Sequence, residues 1–94
     1  MFILEIEHAV RDYDGWKKTF DSDPLNRKQS GVRRYRVLRS VDNPLNVIIW
    51  LEFDTVEQAE ATKAALQKLW GNVVGKLIES PRSRIIEMVE SKDL

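Results

Sequence analysis

Apolar and polar side chains alternate along the first ten residues. Phe2, Leu4, Ile6 and His8 fall on one side and Ile3, Glu5, Glu7 and Ala9 on the other. A period of two predicts a β-strand over Phe2–Val10 with two unlike faces. The period then lengthens. Asp12 reads as an N-cap, and Tyr13, Trp16 and Phe20 recur at i, i+3 and i+7, which predicts a helix with an aromatic stripe, slightly weakened by Gly15. Ser22-Asp23-Pro24 reads as a break and a restart, with Asp23 capping and Pro24 in the first helical position, and Gly31 closes the segment.

Val32 to Val41 predicts a second strand rich in arginine. Arg34 and Arg36 share one side of it, and Arg33 and Arg39 the other; the pattern alone leaves open which pair faces a core. Asp42-Asn43-Pro44-Leu45 is a short turn, with Pro44 keeping Asn43 out of the helical region. Val47 to Phe53 is a third strand, the most apolar of the chain. Val47, Ile49, Leu51 and Phe53 lie on one face, Ile48, Trp50 and Glu52 on the other, so both faces are expected to be covered. Asp54-Thr55-Val56-Glu57 resembles a capping box with an acid at N3. Val56, Ala59, Thr62, Leu66, Leu69, Trp70 and Val73 follow as a stripe at helical spacing, interrupted by Gly71 and Gly75. Pro81 precedes a last strand, Arg82 to Val89, and Glu90 to Leu94 is a polar tail.

Strand, helix, strand, strand, helix, strand within 94 residues describes two β-α-β halves. The expected fold is α+β and ferredoxin-like, βαββαβ, a single domain over residues 1–94 with a four-stranded antiparallel sheet and two helices on one face. The usual wiring orders the strands 4, 1, 3, 2, which sets Glu5 and Glu7 across from Arg82 or Arg84. The helices cover one face only. Ile48 and Trp50, with Ile3 and either Ile85 or Ile86, leave an apolar patch on the other, and such a patch marks an interface. Two sheets packed face to face would close a two-fold symmetric barrel and protect edge strands, so the expected partner is a second copy, a homodimer through the face carrying Ile48 and Trp50.

Composition narrows the function classes. Basic and acidic residues number 15 each, for a formal net charge of zero, which lacks the basic footprint of a nucleic-acid binder. With no cysteine there is no disulfide, thiolate nucleophile or cysteine-ligated zinc, and a single histidine makes no metal cluster. No Gly-rich phosphate loop, nucleophile elbow or paired-carboxylate signature is present. The first residues read as a strand rather than a signal peptide, and no apolar stretch is long enough to span a bilayer. Cytoplasm is the expected compartment by elimination.

The run Asn43-Pro44-Leu45-Asn46-Val47-Ile48-Ile49-Trp50-Leu51-Glu52-Phe53-Asp54-Thr55-Val56-Glu57-Gln58-Ala59, a hairpin, an apolar third strand and a capped second helix, carries a resemblance that extends over the whole chain. The chain resembles the dimeric α+β-barrel superfamily, which includes antibiotic-biosynthesis monooxygenase-like (ABM-like) and stress-responsive barrel proteins, polyketide cyclase-like proteins and haem-degrading relatives. The resemblance implies a small-molecule pocket between the sheet and helices of each subunit. Haem-degrading relatives ligate iron through a histidine on or just beyond the second helix and carry a tryptophan near the position of Phe53. Glu57 to Val74 has no histidine here, so haem cleavage by that pattern is not expected, and no cofactor is expected.

His8 titrates near neutrality without help. If its face looks toward the helices, His8 sits at the mouth of the pocket near Tyr13 and Trp16, placed to take a proton from an acidic carbon or a phenol; the plain alternative is a half-solvated strand-end histidine. Trp16, Phe20, Phe53 and Trp70 lie on facing surfaces, and with Tyr13 they are the candidate lining for a small apolar or aromatic ligand. Ordinary core packing is the alternative for each. The arginines of the second strand suit an anionic ligand or, more simply, pairing with glutamates. Three readings follow: a cofactor-independent oxygenase-like or cyclase-like enzyme with His8 as base; a non-catalytic dimeric module that binds a ligand or acts as a scaffold; and an RNA-recognition-type fold. The third is disfavoured because Asn46–Phe53 has no glycine and no basic residue.

Overall fold

The computed structural model describes residues 1–94. Its elements are β1 (Phe2–Val10), α1 (Tyr13–Asp21), β2 (Arg34–Arg39), β3 (Asn46–Phe53), α2 (Val56–Val73) and β4 (Ile78–Glu87). All strand pairings are antiparallel, in the order β2-β3-β1-β4. This is the ferredoxin-like α+β fold read from the pattern, with β1 and β3 central.

Alternation decides what each face buries. Leu4, Ile6, Val10, Val47, Ile49, Leu51 and Phe53 point to the helix side, where they form the core with Trp16 of α1, Ala59 and Leu66 of α2, and Ile78 of β4. Burying each of the larger aliphatic or aromatic side chains is worth about 1.5–3 kcal/mol, and Leu4, Val47 and Phe53 are wholly inaccessible. The helices contribute unequally. α2 buries Ala59, Thr62 and Leu66, whereas Trp16 is the one buried residue of α1. Asp12 caps α1 as expected, its Oδ2 accepting from the Gly15 N–H at 3.0 Å. α2 begins one residue later than the capping-box pattern suggested. Thr55 is the cap and accepts from the Gln58 N–H at 3.2 Å, so Gln58 rather than an acid occupies N3.

Two segments depart from the sequence reading. No helix restarts at Pro24. Residues 22–31 form a succession of turns, because Asp23 (φ 60) and Asn26 (φ 52) adopt left-handed conformations that no helix continues through. Asp23 still caps, but it caps a turn: its Oδ1 accepts from the Arg27 N–H at 2.9 Å. Gly31 ends the segment at φ 98, where an added Cβ would lie 2.6 Å from Gln58 Nε2. The last strand starts at Ile78, not after Pro81. Between Glu7↔Arg82 and Ala9↔Glu79 the register shifts, with Ser80 at φ 51. This bulge lies on the edge strand, where a proline without an N–H interrupts no interior ladder.

The face away from the helices is less apolar than the pattern implied. Trp50 is half-buried, and its Nε1 donates to Glu5 Oε2 at 2.9 Å. Arg84 reaches Glu5 at 2.9 Å, Arg82 reaches Glu7 at 2.8 Å, and Asn46 donates to Glu7 at 2.9 Å. The central strands therefore carry an acidic row flanked by Arg36 on β2 and by Arg82 and Arg84 on β4, with Ile3, Ile48 and Trp50 between.

Candidate functional site

The helices do not seal the sheet completely. An apolar cavity of about 80 Å³ remains between β1 and β3 below and the helices above. Ile6, His8, Ile49 and Leu51 form its floor, and Trp16, Phe20, Leu66, Leu69 and Trp70 come down from the helices. Pro24, Leu25 and Arg27 close one side from the 22–31 turns, and Leu77 and Ile78 close another. Small-molecule sites typically measure about 300–1,000 Å³, so a ligand larger than a few atoms requires the cover to move. α1 and the turns after it are the part held by least buried surface.

His8 reaches the cavity through strand parity and through the bulge. On β3 it pairs with Val47, but on β4 the register shift leaves it without a partner. It is 4% exposed and meets the edge of Trp16 at a centroid distance of 5.6 Å with the rings inclined at 68°. Its Nδ1 lies 3.3 Å from the Ala9 carbonyl oxygen. A carbonyl only accepts, so Nδ1 carries the hydrogen and Nε2 of the neutral ring keeps its lone pair. Burial pushes the pKa of the imidazole below its ordinary 6.5, because the surroundings disfavour the charged form; hydrogen bonding to the Ala9 backbone offsets this in part. At neutral pH His8 is thus an uncharged base.

An aromatic row leads away from it. Tyr13–Trp16, Trp16–Phe20 and Phe20–Tyr35 stand at centroid distances of 5.8, 5.2 and 5.2 Å. Of the residues singled out in the sequence, His8, Trp16, Phe20 and Trp70 border one cavity. Tyr13 and Phe53 do not. Tyr13 packs behind Trp16 with Arg39 over its ring at 4.6 Å, and Phe53 is wholly buried at the far end of the sheet opposite Phe2. The arginines of β2 stay outside the cavity as well. Arg36 approaches Glu52 at 3.8 Å on the outer face, and Arg33, which the strand leaves out by one residue, pairs with Asp54 at 3.2 Å.

The charged residue that does line the cavity is Arg27, in the turns after α1. Its guanidinium stacks 4.1 Å from the Phe20 centroid and 4.8 Å from that of Tyr35. Nη1 donates to the Phe20 carbonyl at 2.8 Å, and Nε lies 3.4 Å from Asp23 Oδ1. Sequence reasoning passed over it because turn residues carry no periodicity. The one available signal was a basic residue four positions after a capping aspartate.

No group of three or more His, Cys, Asp or Glu could hold a metal ion, and no helix is long and apolar enough to cross a membrane.

No family model matches this chain, and no curated protein matches it. Solved structures do. A protein described as an antibiotic biosynthesis monooxygenase from Nitrosomonas europaea aligns at 22% identity and a TM-score of 0.61, over 96% of this chain and 100% of its own. SnoaB, a cofactor-independent oxygenase from Streptomyces nogalater, aligns at 11% identity and a TM-score of 0.70, over 96% and 94%. MhuD, with two manganese protoporphyrin IX bound per active site, aligns at 14% identity and a TM-score of 0.74, over 99% of each chain. A porphyrin held by a helix histidine does not fit the residues here: α2 carries none, the single histidine is His8 with its Nδ1 on a carbonyl, and the cavity is small. At these identities the likeness is one of architecture, and this chain has the ferredoxin-like fold that antibiotic biosynthesis monooxygenase-like proteins share.

Proposed function

We propose that this protein is a small-molecule-pocket protein with monooxygenase-like activity that needs no cofactor, working as a homodimer. The observation that carries the reading is His8, a neutral imidazole that borders the apolar cavity and whose Nε2 makes no hydrogen bond within the chain. A substrate with a CH2 group acidified by flanking aromatic rings or a carbonyl loses a proton to Nε2. The resulting carbanion is electron-rich enough to reduce O2 itself. A carbon–oxygen bond forms, His8 returns the proton to give a hydroperoxide, and loss of water leaves a ketone. CH2 and O2 become C=O and H2O, with no electrons from outside. The cavity's part is to hold the substrate against Trp16, Phe20 and Trp70 and to keep bulk water from reprotonating the carbanion. That SnoaB has this fold and is a cofactor-independent oxygenase supports the reading.

The homodimer would form through the outer sheet face. Ile3, Ile48 and Trp50 lie there among the charges. Glu52 is 5% exposed, yet its Oε2 has no hydrogen-bond partner within the chain. A buried acceptor left unmet costs about 1–3 kcal/mol, and a donor from a second copy would remove that cost.

The experiment is oxygen uptake with an anthrone-like or phenolic substrate, for the wild type and His8→Ala, together with binding of the same compound. Uptake lost in His8→Ala with binding retained supports the proposal. Equal uptake in both removes His8 from the chemistry. Binding without uptake in the wild type leaves a non-catalytic ligand-binding module.

A further inference from the structure

Arg27 stands on a boundary. On one side it closes the apolar cavity beside Leu25 and Phe20; on the other it borders an open polar cleft of about 630 Å³. Lys28, Arg33, Arg34, Asp23 and Asp54 also line that cleft. With Arg27 it thus carries four basic side chains against two acidic ones. Arg33 and Arg27 are paired with Asp54 and Asp23, while Lys28 and Arg34 have no ion-pair partner. An excess of cations in a concave polar surface raises the local concentration of anions.

The guanidinium itself is only partly engaged. The Arg27 side chain is 15% exposed. Asp23 approaches the Nε side and the Phe20 carbonyl takes one hydrogen of Nη1, but Nη2 makes no hydrogen bond. An arginine this deep cannot shed its charge. It is stabilised by two aromatic faces, and the second hydrogen of Nη1 and both hydrogens of Nη2 make no hydrogen bond within the chain, at the edge of an otherwise apolar chamber.

We infer that the ligand of this pocket is an amphipathic anion, an apolar or aromatic body with a carboxylate. The body fills the cavity over Ile6, His8 and Leu51, and the carboxylate docks on the free edge of Arg27 facing the basic cleft. This rests on the pocket reading above and adds the substrate class to it. A bidentate arginine–carboxylate contact is charge-assisted and stronger than a hydrogen bond between neutral groups, and the neighbouring cations of the cleft add to it. It also fixes which end of the ligand lies toward the cleft and which toward His8.

The test uses the intact protein and two probes of equal shape, 4-phenylbutyrate and 4-phenylbutyramide, titrated by calorimetry at low salt. The wild type is expected to bind the carboxylate about tenfold or more tightly than the amide. Arg27→Gln should bring the carboxylate-to-amide affinity ratio to about one, whatever it does to the amide's own affinity, and Arg27→Lys, which keeps the charge but loses the planar fork, should retain part of the ratio. Lys28→Gln should weaken the carboxylate only modestly. Equal binding of the two probes by the wild type overturns the inference without any variant and leaves the pocket reading standing. A preference that survives in Arg27→Gln also overturns it. Failure of both probes to bind overturns the pocket reading and this inference together.

Discussion

Trp16→Ala should detach α1 and the turns that follow it while the sheet and α2 stay folded. α1 has nine residues, below the roughly 12–15 at which an isolated helix becomes even marginal. Its local supports are small: the Asp12 cap, worth about 1 kcal/mol, and the exposed Lys17–Asp21 pair at 2.7 Å, worth a few tenths. What holds it to the sheet is Trp16, 5% exposed between His8 and Phe20. Truncating a buried tryptophan costs about 3–5 kcal/mol. At 1.4 kcal/mol per tenfold, the opening equilibrium of α1 rises by about two to four orders of magnitude. Phe53→Ala is the control. Phe53 is wholly buried but does not touch the cavity, so the same 3–5 kcal/mol should fall on global unfolding only. Hydrogen exchange read by mass spectrometry separates the two. Peptides covering 13–31 should exchange faster in Trp16→Ala and keep their wild-type rate in Phe53→Ala. If Trp16→Ala leaves them protected, or if Phe53→Ala releases them as strongly, α1 is not a separately opening cover and the proposed route to the cavity fails.

Three further outcomes follow from the same geometry. Gly31→Ala should destabilise by about 1–3 kcal/mol, since φ 98 is strained for alanine and the new Cβ would press on Gln58; Gly71→Ala, with open space around it inside α2, should stabilise by about 0.5–1 kcal/mol, and urea unfolding of the pair reads both signs. The folded pKa of His8 lies below 6.5, so the unfolded chain takes up this proton first as pH falls: the stability it contributes is complete above about 6.5 and is lost as pH falls through the folded value. The gap in unfolding free energy between wild type and His8→Gln should therefore change between pH 7.5 and 5, and parallel profiles would rule the effect out. Native mass spectrometry should show a dimer, and Ile48→Glu, which adds an acid beside Glu7 on the outer face, should yield monomer; a monomeric wild type would remove the proposed interface.

Parity made much of this legible. Period two along β1 and β3 fixed which residues share a face, so Glu5 and Glu7 could be set across from Arg82 or Arg84 and His8 on the face of Leu4 and Ile6; which glutamate meets which arginine, and that the face of His8 meets the helices, came from the register and the packing. Parity says nothing about distance along a strand. Phe53 shares the face of Ile49 and Leu51, yet it lies at the end of the sheet opposite Phe2 and does not border the cavity. Pro81 looked like a strand boundary because proline breaks interior ladders, and an edge-strand bulge absorbed it instead. The 22–31 turns were the least readable segment. Their shape depends on single residues at positive φ and on one aspartate capping a turn, and neither leaves a period. Arg27 was invisible for that reason.

The histidine and the arginine of the cavity divide the electrostatic work in a way that depends on how differently they respond to burial. An imidazole taken out of water gives up its proton, and His8 therefore stands neutral with Nε2 open. A guanidinium keeps its charge, and Arg27 is held by Phe20, Tyr35, a carbonyl and Asp23. Proton transfer to His8 would create a second positive charge in the same apolar space, where repulsion is poorly screened. An anionic ligand changes that balance: its carboxylate offsets Arg27 before His8 becomes an imidazolium. On this argument the charge of the ligand raises the basicity of His8 when the pocket is filled, and the pKa of His8 measured by NMR should rise on binding of 4-phenylbutyrate and stay where it is on binding of the amide. A pKa unmoved by the carboxylate would separate the two groups and leave each to be explained alone.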